Sequence, residues 1–265
     1  MLFDAGVNLF SAQFDVDRAE VIHRATQQGI NRLLLISSDI AESRQNLDYS
    51  CDGSALYCTA GVHPHQAAKV APDWLTELEH TLQHPKVVAI GECGLDFNRD
   101  FSPREQQILV FEHQLMLAKT SGKAVYLHER DAFDTQLALL KQHQIHSGLA
   151  HCFTGNPMQL KAYLDLGLYI GITGWLCDER RHQQLVEAIQ YLPLDRFVIE
   201  TDAPYLLPRT LAIKPKSRRN EPAYLPEIAR YLAEIKGVSI DMIHQSSWQN
   251  SCSLFQLPQD ITRGH

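Results

Sequence analysis

No run of this 265-residue chain reaches the ~20 apolar residues that a bilayer-spanning helix needs. Its opening, Met1-Leu2-Phe3-Asp4, puts no basic segment ahead of an apolar one, so no secretory signal is read and a cytoplasmic protein is expected. Close cysteine pairs are missing too. Cys51, Cys58, Cys93, Cys152, Cys177 and Cys252 are scattered, which argues against zinc-ribbon and thioredoxin-type chemistry. Thiols spread in this way are expected to be buried or idle in a reducing compartment. Positive charge is in short supply, with 24 Lys and Arg against 31 Asp and Glu and a net charge of −7. That balance argues against a protein that coats polyanions through bulk electrostatics, and leaves room for a local basic patch. Low-complexity segments and internal repeats are absent.

What is present is alternation. Short aliphatic or β-branched runs, read as strands, cover Leu2–Asn8, Arg32–Ser37, Ala55–Val62, Val87–Glu92, Ala124–His128, Ser147–Cys152, Leu168–Ile172 and Arg196–Glu200. Amphipathic stretches between them predict helices over Asp17–Gln28, Ala41–Cys51, Asp73–Gln83, Pro103–Ser121, Phe133–Gln142, Pro157–Leu166 and Glu179–Tyr191. Gly122 follows one of these helices and suits the left-handed residue that ends it. The stretch from Ala203 to Asn220 is irregular and rich in proline and arginine. Beyond it, helices are expected from Glu221 toward Gly237 and over Ile240–Phe255, the last closing the base. With 45% hydrophobic residues and this length, a single domain over residues 1–265 is expected.

About eight strand–helix units close a parallel barrel, but an open sheet can use as many. The placement of polar residues decides between them. Asn8, His63, Glu92, His128, His151 and Asp202 each stand at or just past the end of an apolar strand. In a (β/α)8 barrel those ends form one ring, so residues far apart in sequence meet. The expected fold is therefore α/β, a TIM-like barrel.

Taken singly, each of these residues has an ordinary explanation. A histidine at a strand end is more often hydrogen-bonded and structural than a ligand, and an aspartate there is as readily a cap or salt-bridge partner. Glu92 lies between Gly91 and Gly94, where the backbone turns sharply and a ligand comes close. Taken together, two carboxylates and two imidazoles suit Mg²⁺, Mn²⁺ or Zn²⁺ with a position left for water. Glu200, next to Thr201 and Asp202, is read as pointing the other way and structural. His63 and His65, either side of Pro64, are read as substrate contacts rather than ligands. Arg209, Arg218 and Arg219 belong to the densest basic run of an acidic chain. That run follows the Asp202 strand, so they are read as a phosphate grip. Trp175, Tyr205 and Phe153 follow other strand ends and are candidates for base stacking.

These motifs resemble those of TatD-type metal-dependent deoxyribonucleases: Gly91-Glu92-Cys93-Gly94-Leu95-Asp96, His63-Pro64-His65, His128, His151-Cys152-Phe153-Thr154-Gly155, Glu200 to Leu206, and Arg219 to Pro222. The resemblance runs from about Phe3 to about Phe255. It implies Glu92, His128, His151 and Asp202 as ligands of a divalent metal, with Glu92 and Asp202 also serving catalysis. Many members carry D-x-H-x-H on the first strand, whereas this chain has Asp4-Ala5-Gly6-Val7-Asn8. One firm metal position and one weak one are therefore expected. That form, with the run Gly174–Arg181, further implies a cytoplasmic Mg²⁺-dependent 3′–5′ exonuclease for single-stranded DNA or RNA, with DNA repair a candidate role. Nothing in the sequence demands more than a monomer. Two rivals stand beside this reading. One is an ester or amide hydrolase on the same barrel, such as an aminoacyl-tRNA deacylase, since activated water attacks carbonyl carbon as well as phosphorus. The other is a barrel that binds nucleic acid without cleaving it.

Overall fold

In the computed structural model, which describes residues 1–259, eight parallel strands pair in chain order. They are β1 (Leu2–Val7), β2 (Ile30–Leu35), β3 (Leu56–Ala60), β4 (Val87–Asp96), β5 (Ala124–Arg130), β6 (Gly148–Ala150), β7 (Tyr169–Ile172) and β8 (Phe197–Ile199). The helices that alternate with them are α1 (Arg18–Gln27), α2 (Ile40–Cys51), α3 (Trp74–Thr81), α4 (Arg104–Ser121), α5 (Phe133–Gln142), α6 (Pro157–Asp165) and α7 (Gln183–Ile189). Two more, α8 (Leu225–Lys236) and α9 (Ile240–Leu254), follow the irregular 203–220 strap.

Local chemistry sets several helix boundaries. Asn156 accepts from the Gln159 N–H while the Gln159 side chain returns the bond to the Asn156 N–H, a reciprocal cap that starts α6. Gly122, at φ 68°, ends α4 in the left-handed conformation expected of it.

The barrel closes mainly through side chains. Between β8 and β1, the buried Asp4 carboxylate accepts from the Thr201 N–H at 2.8 Å and from the Thr201 hydroxyl. One backbone bridge, Val7 to Ala203, adds Asn8 N–H to Ala203 O at 2.8 Å and Asp202 N–H to Gly6 O at 2.9 Å. Two apolar layers fill the molecule. One lies between strands and helices, and the other gathers Phe3, Leu34, Val88, Leu149 and Val198 against Trp248, Cys252 and Phe255. Phe3 packs 6.4 Å from Trp248 and 5.9 Å from Phe255, so the helix expected at the base does seal it.

The structure differs from the sequence reading along β4 and β5, which run past Glu92 and His128 to Asp96 and Arg130. Pairing resumes after a register shift between Ile90 and Cys93, with Gly94 opposite His128. Gly91 and Gly94 have φ of 146° and 135°, and a Cβ on either would collide with a β5 carbonyl, of Tyr126 or His128. The extra strand length is what carries Asp96 to the mouth of the barrel.

Candidate metal centre

Glu92 sits at the focus of the C-terminal mouth, buried, in a cleft of about 600 Å³. Its Oε1 lies 2.9 Å from His128 Nδ1, 3.6 Å from His63 Nε2 and 3.9 Å from His151 Nε2. Asp202 Oδ1 stands 3.8 Å from His151 Nε2 and accepts from the Asn8 amide at 2.9 Å. Residues from β1, β4, β5, the end of β6 and the segment after β8 thus converge as the strand-end argument anticipated. Asp202 and Cys152 both take left-handed backbone, φ 53° and 45°, just after their strands. Such conformations cost on the order of 1–3 kcal/mol each and persist where surrounding contacts hold them.

The electrostatics follow from burial opposed by partners. Desolvation would raise the Glu92 carboxyl, but the neighbouring imidazoles of His63 and His151 and the hydrogen bond from His128 outweigh it and hold it well below the usual range. Burial lifts Asp202 to about 7, helped by repulsion from Glu92 and Glu200. Burial would lower His128 and His151, yet the hydrogen bonds His128 gives to Asp96 and Glu92 raise it to about 9. The charges of Glu200 and Glu92 raise His151 to about 10. His63 goes down to about 4, through burial and then the charge of His128.

Three groups at this site were not read as functional from the sequence. Asp96, buried at the end of β4, accepts from His65 Nε2 at 2.6 Å and His128 Nε2 at 3.2 Å. Glu200 is wholly buried and takes His151 Nδ1 at 2.8 Å, correcting the expectation that it points away. The signal was available, because residues two apart in extended chain share a face, and Glu200 and Asp202 are two apart. Tyr126 joins them, its hydroxyl donating to Glu200 Oε2 at 2.6 Å and lying 2.7 Å from His151 Nδ1.

The basic strap behaves differently from its reading. Arg219 donates to Asp17, Glu221 and the Gln13 carbonyl and stacks on Phe14, away from the cleft. Its guanidinium is already neutralised, so the structure does not bring it to a phosphate. Arg209 faces Asp178 at 3.5 Å, and Arg218 is exposed; neither lines the cleft. The arginines that do line it are Arg99, Arg130 and Arg181, with Arg181 lying 3.6 Å from the Trp175 ring centre. Of the aromatic candidates, Trp175 and the exposed Tyr205 border the cleft, while Phe153 is buried against Tyr163.

A closed ring of parallel strands carrying imidazoles and carboxylates at its C-terminal mouth defines the class of metal-dependent barrel hydrolases. Comparison with known proteins narrows this. The family model described as TatD related DNase matches residues 3–256, and the chain belongs to that family of nucleases. A relative from Klebsiella pneumoniae (strain 342), named 3′-5′ ssDNA/RNA exonuclease TatD, is 46% identical over 256 residues, covering 96% of this chain and 97% of that one. A protein of the same name from Pectobacterium parmentieri (strain WPP163) is 46% identical over 260 residues, covering 97% and 100%. Both names are those of nucleases, and neither supports the ester or amide alternative. The crystal structure of YJJV, a TatD homologue from Escherichia coli K12, superposes with a TM-score of 0.89 at 28% identity, covering 97% and 98% of the two chains. Membership of the family implies a divalent metal, and the donor set fits one. Glu92 meets His128 at 2.9 Å and lies 3.9 Å from His151, the half-buried Asp202 stands 3.8 Å from that same His151 nitrogen, and repulsion from Glu92 helps to raise the Asp202 carboxyl.

Proposed function

We propose that this chain removes nucleotides from the 3′ end of single-stranded DNA or RNA, using a divalent cation, Mg²⁺ in the first instance, held by Glu92, His128, His151 and Asp202. The observation that carries the reading is the run of close contacts at the mouth, Glu92 Oε1 to His128 Nδ1 at 2.9 Å and to His151 Nε2 at 3.9 Å, with Asp202 Oδ1 3.8 Å from that same His151 nitrogen. Strand polarity and the preference for unpaired substrate rest on the names of the relatives. All these donors come from one chain, so the site calls for no second copy, in keeping with a monomer. Among the described residues no helix is long and apolar enough to cross a membrane. A cytoplasmic setting and a role in DNA repair belong to the same proposal.

When bound, a divalent cation polarises the phosphoryl oxygen and acidifies a neighbouring water. Asp202, steadied at Oδ1 by Asn8, takes the proton of the attacking water. His63 Nδ1 accepts the His65 backbone N–H at 3.0 Å, which places the proton of the neutral ring on Nε2, facing the site. That tautomer donates to a phosphate oxygen and has no lone pair for a cation, although the His63, His65 and His128 ring nitrogens cluster within 4.8 Å. His65, tied to Asp96, stands beside it at the substrate side. Arg99 and Arg130 meet the remaining phosphate charge in place of the strap arginines, while Arg181 is paired with Asp178 at 3.0 Å. Trp175 offers a base a stacking surface.

The test is a time course on end-labelled single-stranded oligonucleotides with Mg²⁺, run on the protein and on Glu92→Ala and His128→Ala, with bound metal quantified by mass spectrometry. Loss of both cleavage and metal in the variants is expected. Full activity with unchanged metal content in both would overturn the assignment.

A further inference from the structure

Large apolar side chains left singly in water are ordinary on a protein surface and call for no role. Phe101 differs in how firmly it is held there. It is 63% exposed, yet the chain on both sides of it is tied down. Before it, Asp96 Oδ1 accepts the Asn98 and Arg99 N–H groups at 3.1 and 2.9 Å. Arg104 donates to the Phe97 carbonyl and to both carboxylate oxygens of Asp100. After it, the wholly buried Ser102 donates to the His65 carbonyl at 3.2 Å and accepts the Ala68 N–H at 3.0 Å. Gln107 donates to the Ser102 carbonyl at 2.8 Å. The Phe101 ring stands nearly perpendicular to that of His65, at 80° with 4.8 Å between centres, and the Arg99 guanidinium lies 5.9 Å from its centre. A pinned loop thus sets an exposed aromatic ring and a cation side by side at the rim of the mouth.

We propose that Phe101 is the stacking platform for the base on the 5′ side of the scissile phosphate, the last base of the strand that is retained. His65 and Arg99 line the metal cleft after β3 and β4, whereas Trp175 lines it after β7, across the ring of strands. A nucleic acid drawn over the metal therefore meets one aromatic on each side. The two sides differ in what lies beyond them. Past Trp175 the surface sinks into a second cleft of about 630 Å³, lined also by Phe97, Phe133, Met158 and Gln159. A terminal nucleotide can end in a cleft, but a retained strand has to leave over an open rim, and Phe101 stands on that rim. Stacking is tolerant of base identity, because every base has a π-face. A loop already fixed loses little conformational freedom when a base settles on it. Arg99 is placed to meet the phosphate that accompanies that base.

The inference rests on the exonuclease reading, and the experiment separates the two. Rates with Mg²⁺ are measured for the unaltered protein, Phe101→Ala and Phe101→Trp on three end-labelled oligonucleotides. One carries every base, one is abasic at its 3′-terminal residue, and one is abasic at the penultimate residue. Phe101→Ala is expected to lose about five- to a hundredfold in kcat/KM on the first two, the effect of removing one stacking aromatic. On the third, where no base is left to stack, its deficit should shrink to less than about twofold. Phe101→Trp keeps a platform and should hold parent-like rates throughout. Both variants should melt within a few degrees of the parent, since the ring is mostly in water. A structural role exerted through His65 would lower all three substrates alike. That result, an undiminished rate on the first substrate, or a deficit that vanishes only with the terminal abasic residue would overturn the inference. Phe101→Trp titrated with the first oligonucleotide in the absence of metal should lose more indole emission than the unaltered protein, whose Trp175 supplies the reference. Should the unaltered protein shorten none of the oligonucleotides, the exonuclease reading falls. The added quench then decides alone whether Phe101 meets a base, and its absence would overturn the inference.

Discussion

At its N-terminal end the barrel is filled by Phe3, Val88, Leu149 and Val198 beneath Trp248 and Phe255 of the α9 segment. At its C-terminal end the buried groups are Glu92, His151, Asp96 and Glu200. The base gains stability through area removed from water, with aromatic rings 5.9 and 6.4 Å apart. The mouth does the opposite, holding charged groups out of solvent beside left-handed backbone at Cys152 and Asp202. One end is thus built to hold the barrel shut, and the other to hold chemistry in place at a cost in stability.

Four substitutions test that division, beginning with the largest effect. Glu92→Ala is expected to lower phosphodiester cleavage at least about a hundredfold, the several kcal/mol that metal assistance supplies. Its thermal midpoint should stay within a few degrees of the parent, as read by activity assay and calorimetry together. A large loss of stability in that variant would undo the division. At the base, Phe255→Ala should cost about 3–5 kcal/mol in urea unfolding while activity per folded molecule is kept. If its activity falls in step with stability, the two ends are not separable.

A smaller effect is expected within the mouth itself. Arg130→Ala should weaken binding of a single-stranded oligonucleotide severalfold and reduce the salt slope by about 0.7 for each phosphate no longer neutralised. Arg219→Ala should leave both unchanged, because its guanidinium is engaged by Asp17 and Glu221. Parity between the two variants would return the strap to the substrate.

The smallest effect is one of pH. The hydrogen bond from Arg219, with that of Arg24, lowers Asp17 from 3.8 to about 2. A carboxyl with a depressed folded pKa stabilises the protein above its unfolded value and loses that contribution as pH falls through the folded one. Arg219→Ala should therefore lose no more than about 1 kcal/mol at pH 5, since the pair is only partly buried and Arg24 still faces Asp17. The difference from the parent should shrink between about pH 4 and pH 2, followed by urea unfolding at pH 5 and pH 3.

Much of the site was legible because strand ends in a closed parallel sheet share one rim. Glu92, His128, His151 and Asp202 could be grouped from their positions after apolar runs, without any distance. Asp96 was hidden because the apolar run was taken to stop at Glu92, whereas glycine-bearing backbone carries β4 four residues farther. Glu200 lay in plain view beside Asp202 and was assigned to the wrong face. The strap arginines misled for a different reason. A local charge run shows where cations are in the chain, but their partners Asp17 and Glu221 come from elsewhere in the fold.

Sequence alone was enough for the barrel, the family and the grouping of Glu92, His128, His151 and Asp202 at one rim. Short continuous apolar runs, helix caps and carboxylate or imidazole at strand ends are local patterns that survive without tertiary contacts. Which carboxylate backs His151, why position 6 is glycine and which arginines face the cleft became visible only in three dimensions. Each of those is settled by a partner distant in sequence: Glu200 behind His151, Tyr126 over Gly6, Asp17 against Arg219. A hydrogen bond or a steric clearance across the barrel leaves no periodic trace along the chain.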